Sequence, residues 1–160
     1  MKVITSRFGD LDVAEEQIYT LAYPLPGFSA TSSFFFIQKE KIAPFQWMQS
    51  VEESGLTFVV VEPHHFFHDY APSISAGDLK ELGLSRTEDA ALMAIVVLPE
   101  DMTKMTANMR GPLVINNATR RMKQVFLDSD RWTVSESIVE GIRRKEQAAM
   151  DAKVAGEGNL

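Results

Sequence analysis

Short runs of β-branched and aromatic residues recur along the chain and are cut by turn residues. The segments SFFFIQ (33–38), LTFVVVE (56–62), LMAIVVL (92–98), PLVINN (112–117) and KQVFL (123–127) each read as a strand. Gly27, Gly55, Pro63, Pro99 and Gly111-Pro112 mark the turns around them. The opening KVITSRFGDLDVA reads as a hairpin, two strands joined at Phe8-Gly9-Asp10. No long helical spacers lie between the strands, which disfavours βαβ units and a parallel sheet. The pattern predicts a mainly β single domain, an antiparallel β-barrel or sandwich with short helices and a C-terminal helix. Closing the sheet hides edges that such apolar strands would otherwise expose.

Two stretches depart from the strand pattern. In SAGDLKELG, Ser75 is placed to cap the first turn of a short helix, Asp78 to complement its dipole and Gly83 to stop it. In SESIVEGIRRKEQAAM (135–150), Ile138, Val139 and Ile142 form a brief apolar stripe. Gly141 weakens that helix by ~1 kcal/mol, so it needs something to pack against. The remaining DAKVAGEGNL (151–160) has the composition of a disordered tail. The expected division is a β-rich protein-binding domain over residues 1–130 and a C-terminal helix with a flexible tail over residues 131–160.

Composition narrows the function. The balance of 45% hydrophobic and 24% charged residues over 160 positions suits one soluble domain. Cysteine is absent, which removes disulfides, thiolate catalysis and Cys-ligated zinc. The charged opening MKVITSRFGDLDVAEE lacks the apolar run of a signal peptide, and no segment is apolar enough to span a bilayer. A cytoplasmic protein with no membrane partner is expected. The net charge of −6 is unevenly spread: residues 1–101 hold 6 Lys and Arg against 15 Asp and Glu, residues 102–160 hold 10 against 7. An acidic body repels phosphate backbones and attracts basic proteins, so direct nucleic-acid binding is not expected. The basic cluster Arg143-Arg144-Lys145 is small and reads as a solvated helix face.

All three histidines lie in EPHHFFHDY (62–70), which has the ingredients of a metal site. A metal needs three or four ligands converging at ~2.0–2.2 Å. Pro63 disfavours helix at Glu62, and an extended or turn conformation disperses neighbouring side chains. No second His or Cys group completes a site, and no HExxH pattern is present. The preferred reading is therefore surface or partly buried histidine, with a metal enzyme built on His64, His65 and His68 as an alternative. The G-x-S-x-G elbow, the P-loop and the G-x-G-x-x-G fingerprint are all missing. No enzyme, cofactor or metal is expected.

Several stretches are less generic. They are Leu25-Pro26-Gly27-Phe28; Pro44-Phe45 with Met48-Gln49-Ser50; Phe58 with Pro63; and Phe66 with Asp69-Tyr70. Later come Thr106, Asn108, Met109, Gly111-Pro112-Leu113-Val114-Ile115-Asn116, then Gln124-Val125 and Leu127. In this order they resemble the flagellar assembly factor W family, small bacterial cytoplasmic proteins, across about residues 3–128. The block T-x-N-x-x-x-P-x-V-I-N is the most specific part. Met48 and Met109 stand where the family pattern has leucine and Gly111 where it has alanine; the histidines fall outside the pattern. The resemblance implies a non-catalytic partner switch. Such a protein binds flagellin, and it binds the RNA-binding translational repressor carbon storage regulator A (CsrA), holding it off the flagellin message while flagellin is scarce. A monomer is expected when unbound. Candidate partner-binding residues are Phe66, Asp69, Tyr70, Asn108 and Asn116 from the motifs, and Ile138, Ile142 and Arg143 from the C-terminal helix. The competing reading makes the phenylalanines core and gives Asn108 and Asn116 to turn and edge backbone groups. A small β-barrel module for a different partner is the other alternative.

Overall fold

A computed structural model describes residues 1–158 of the chain. Its elements run β1 (Lys2–Thr5), β2 (Gly9–Asp12), β3 (Tyr19–Leu21), β4 (Ser33–Gln38), β5 (Gln46–Ser50), β6 (Thr57–Val61), α1 (Ala76–Glu81), β7 (Ala91–Val97), β8 (Thr106–Ala107), β9 (Leu113–Asn116), β10 (Arg121–Gln124), β11 (Glu136–Ser137) and α2 (Ile138–Gly158). Seven strands close into a barrel in the order β3-β4-β5-β6-β7-β9-β10, with β8 and β11 extending the sheet from the far half of β7. Every pairing is antiparallel except β3 with β10, which closes the ring. Those two strands are far apart in sequence, so their parallel contact needs no βαβ unit. The expected antiparallel barrel is present with this one exception.

Both faces of the barrel wall are covered, which explains why its strands read as continuous apolar runs rather than alternating ones. Inside, Phe34, Met48, Val60, Leu113, Ile115 and Met122 are at most 2% exposed. Outside, Val59, Val61, Ala94, Val96 and Val114 face a second core. Phe67, Tyr70, Ile74, Leu79 and Leu82 from the β6–β7 connection cover it, together with Val125, Leu127, Trp132 and Ile138. A third, smaller cluster joins the β1–β2 hairpin to β4 through Val3, Val13 and Phe35.

Several boundaries differ from expectation. The hairpin turn is Ser6–Phe8, and Gly9 already begins β2 with φ 72°. Thr5 fixes it there, its Oγ1 donating to the Gly9 carbonyl (2.7 Å) and accepting from Phe8 N–H (2.9 Å). KQVFL is strand only to Gln124, because facing Pro112 carries no N–H to continue the ladder. Val125 and Leu127 still donate to the Pro112 and Arg110 carbonyls and are buried, while Phe126 is 63% exposed. The strands β3, β8 and β11 span only two or three residues, too short for a periodic signal.

The helix expected over 135–150 starts at Ile138, because Glu136–Ser137 pairs with β8; Ser137 Oγ then accepts from Glu140 N–H at 3.1 Å. Nor does it stop at residue 150. The tail expected to be disordered is helical through Gly158, while residues 159 and 160 lie outside the described part. Gln, Ala, Met and Lys dominate 147–155, and their helix propensity outweighs the tail-like composition.

Candidate partner-binding surface

The stretch Glu62–Tyr70 runs across the outside of the barrel as successive turns. Pro63–His65 forms a 3-10 turn, Phe67 N–H donates to the Pro63 carbonyl, and Tyr70 N–H to the Phe67 carbonyl. This places Phe67 and Tyr70 inward, at 1% and 2% exposure, and all three histidines outward. Tyr70 donates its hydroxyl to the Met109 carbonyl at 2.8 Å, and its ring meets Trp132 edge-on at 5.0 Å. Phe67 meets the same indole at 5.9 Å. Burial drives the Tyr70 pKa far above the usual phenol range, so it remains a neutral donor. Phe66 is half-buried and stacks on Phe45 at 5.4 Å, and exposed Asp69 pairs with Arg131.

The cluster does not converge as metal ligands. His64 is engaged locally, its Nδ1 2.6 Å from Glu62 Oε1 and its Nε2 2.7 Å from the Tyr70 carbonyl. Among the described residues no group of three His, Cys, Asp or Glu side chains could hold a metal ion.

The two asparagines sit apart from this stretch and serve backbone groups. Asn116 is 6% exposed; its Nδ2 donates to the Leu82 carbonyl (2.8 Å) and its Oδ1 accepts from Ala118 and Thr119 N–H. It thereby ties the end of α1 to the turn that leads into β10. Asn108 Oδ1 accepts from Gly111 N–H at 2.8 Å, and Asn108 lines a cleft of about 260 Å³ at the barrel mouth with Leu25, Phe28, Phe58 and Phe126.

Helix α2 is seated against Glu62–Tyr70. Ile138 is fully buried. A Cβ on Gly141 would lie 2.8 Å from the Phe67 ring and 2.9 Å from the Phe66 carbonyl. Lys145 Nζ donates to the His65 carbonyl at 2.8 Å. Outward, Val139 and Ile142 are 45% and 37% exposed, and Arg143 pairs with Glu140. The fold thus brings Phe66, Asp69, Tyr70, Ile138, Ile142 and Arg143 to one region, but only some of them reach its surface. Trp132, Gly141 and Lys145, which hold the region together, were not singled out from sequence as its supports. A tryptophan amid polar residues 128–136 was the available signal.

A second apolar feature lies nearby. Ile42, Phe45, Trp47, Val59, Leu98, Met102 and Met105 line a groove of about 260 Å³. Exposed apolar surface of this kind suits the docking of polypeptide segments.

A closed seven-stranded barrel with a folded cover on its outer wall defines a small β-barrel protein. The crystal structure of the flagellar assembly factor FliW superposes with a TM-score of 0.79 at 30% identity, over 86% of this chain and 96% of that one. The family profile described as FliW protein matches residues 2–138. The flagellar assembly factor FliW of Alkaliphilus metalliredigens is 34% identical over 155 residues, 96% of each chain. That of Leptospira biflexa is 34% identical over 139 residues, 86% of this chain and 91% of its own. The chain belongs to the FliW family. Its role is in flagellum assembly, and the family is named for that role rather than for a reaction. The matched region extends past Leu127 to Ile138 and so includes Trp132.

Proposed function

We propose that this chain serves flagellum assembly as a cytoplasmic partner switch, binding flagellin and, alternately, the translational regulator CsrA. Family membership across residues 2–138 is the observation that carries the reading. Two mutually exclusive complexes of comparable strength are sufficient, because mass action then makes CsrA occupancy report the flagellin level. The acidic first hundred residues suit a basic RNA-binding partner, chiefly by speeding encounter. The half-buried and exposed candidates Phe66, Asp69, Ile142 and Arg143 are the proposed contacts; buried Tyr70 and Ile138 act by holding them in place. Residues 1–130 supply most of the proposed binding body, and residues 131–160 complete it through Trp132 and Ile138 in the outer core and carry Ile142 and Arg143.

The test is to mix the purified protein with flagellin and with CsrA, singly and together, and to read complexes by size. Two binary complexes are expected, with flagellin releasing CsrA. Failure to bind either one at micromolar concentration overturns the proposal.

The edges the barrel leaves open support a proposed mode of flagellin capture by strand addition. Closure consumes the edges of its seven strands along most of their length, whereas β1 and β2 pair only with each other and β11 only with β8; of these, β2 is the proposed edge. An extended flagellin segment adding to β2 is the proposed mode. Substituting Asp10 or Asp12 by proline should weaken flagellin binding; undiminished affinity would rule this edge out.

A further inference from the structure

One imidazole closes the segment Glu62–Tyr70 on itself. His64 Nδ1 lies 2.6 Å from Glu62 Oε1 at the start of the segment, and Nε2 lies 2.7 Å from the Tyr70 carbonyl at its end. A carbonyl oxygen and a carboxylate oxygen can only accept. Both ring nitrogens must therefore carry hydrogen for both bonds to exist, and that form of histidine is the imidazolium. The ring is half-exposed, so protons exchange with it freely.

The geometry points to a proton-operated latch: charged His64 holds the two ends of Glu62–Tyr70 together and, through that segment, seats α2 against the barrel. The mechanical path is short. Tyr70 is pinned to the Met109 carbonyl and to Trp132. Between the latched ends, the Phe66 carbonyl and Phe67 ring form the seat for Gly141, and the His65 carbonyl accepts from Lys145. Losing one ring proton turns one of the two bonds into a contact between two lone pairs, and the seat loosens.

Among the charges near the ring, Glu62 favours the closed state. Glu62 faces it from its own segment, and Glu88 lines the same cleft from the Thr87–Asp89 turn beside Tyr70 and Ser73. Among the described residues no Lys or Arg lines that cleft. Elsewhere on the segment, Asp69 is neutralised by Arg131, and Lys145 lies at the His65 carbonyl. Burial pulls the His64 pKa down, but the hydrogen bonds to Glu62 and the Tyr70 carbonyl together raise it above the ordinary histidine value. A raised folded-state pKa means stabilisation fully present below the unfolded value and lost as pH rises through the folded one. The latch is thus shut below the ordinary histidine value and released as pH rises through the raised one. It operates whichever polypeptides the protein binds.

NMR titration of the His64 ring, with amide exchange at Phe67, Tyr70 and Ile142 followed over the same pH range, tests this. His64→Gln and Glu62→Gln are the comparison variants. His64 should titrate above the ordinary value in the wild type and lower in Glu62→Gln. Protection at the three amides should fall across that titration in the wild type, while His64→Gln stays level with pH. A His64 pKa at or below the ordinary value overturns the latch. So does protection that is unchanged across the titration, or an equal loss in His64→Gln.

Discussion

Gly141 and Tyr70 show what single residues contribute at the junction of cover and helix. A glycine inside a helix costs ~1 kcal/mol relative to alanine, so on propensity alone Gly141→Ala should stabilise. The added methyl, however, would meet the Phe66 carbonyl at 2.9 Å, and backbone does not yield cheaply. Overpacking of this kind costs about 1–3 kcal/mol, so the expected net effect is a lower melting temperature and faster amide exchange in α2. A higher melting temperature would show that α2 is not seated where described. Tyr70→Phe keeps the ring on Trp132 but leaves the Met109 carbonyl buried without its donor. It should cost about 1–3 kcal/mol in urea unfolding, with Phe66 and Asp69 still in place. Sequence marked Tyr70 and Asp69 as a motif, yet could not say that one faces in and the other out. Turn geometry decides that, and the turns are set by Pro63 and by contacts distant in sequence.

At the scale of elements, α1 was legible almost residue by residue. Ser75 Oγ accepts from Asp78 N–H at 3.1 Å, and Gly83 ends the helix with φ 71°. Its attachment to the barrel was not legible. Lys123 on β10 reaches across to Asp78 and Glu81, each at 2.6 Å. Lys123, opposed in part by burial, holds the Asp78 carboxyl below its ordinary range, and Asp78 foremost holds the Lys123 ammonium above its own. A depressed folded-state pKa gives Asp78 a stabilising share that is present above its unfolded pKa and lost as pH falls through the folded value. The Lys123 share is lost only as pH rises through its raised pKa. Lys123→Met should therefore cost on the order of 1 kcal/mol near neutrality and flatten the acid limb of the stability profile. An acid limb as steep as the wild type's would remove Asp78 from that role. The length of α2 has an equally local cause. Composition alone marks its C-terminal half as a tail, whereas alanine-rich sequence continues a helix already nucleated and anchored at Ile138, Gly141 and Lys145.

The whole molecule is a barrel with two cores, one inside the wall and one beneath the cover, and truncation should reveal the difference. Ending the chain after Leu127 removes Trp132 and Ile138 from the outer core. Losing buried residues of that size costs several kcal/mol, so this variant should unfold or expose enough apolar surface to aggregate. Ending it after Lys145 leaves the seat intact and removes only an arm whose described side chains are exposed except for half-buried Ala148. That shorter variant should melt within a few degrees of the full chain. If it does and yet loses the proposed binding to CsrA that the full chain displays, the arm is a contact surface. Undiminished CsrA binding would place the contact on the cover or barrel instead. A large loss of thermal stability would mean that the arm packs more extensively than its exposure indicates.

Strand-forming segments, the helix cap at Ser75, the absence of cysteine chemistry and the motif series that marks the family were all local information. Local sequence carries them because backbone propensity and side-chain type act within a few residues. The tertiary structure alone decided that β3 and β10 meet in parallel, that Phe67 and Tyr70 are lining while Asp69 is surface, and that a glycine expected to weaken α2 is the point on which it rests. Each of these depends on contacts between residues tens of positions apart, set by how the barrel closes and what must then cover its outer wall.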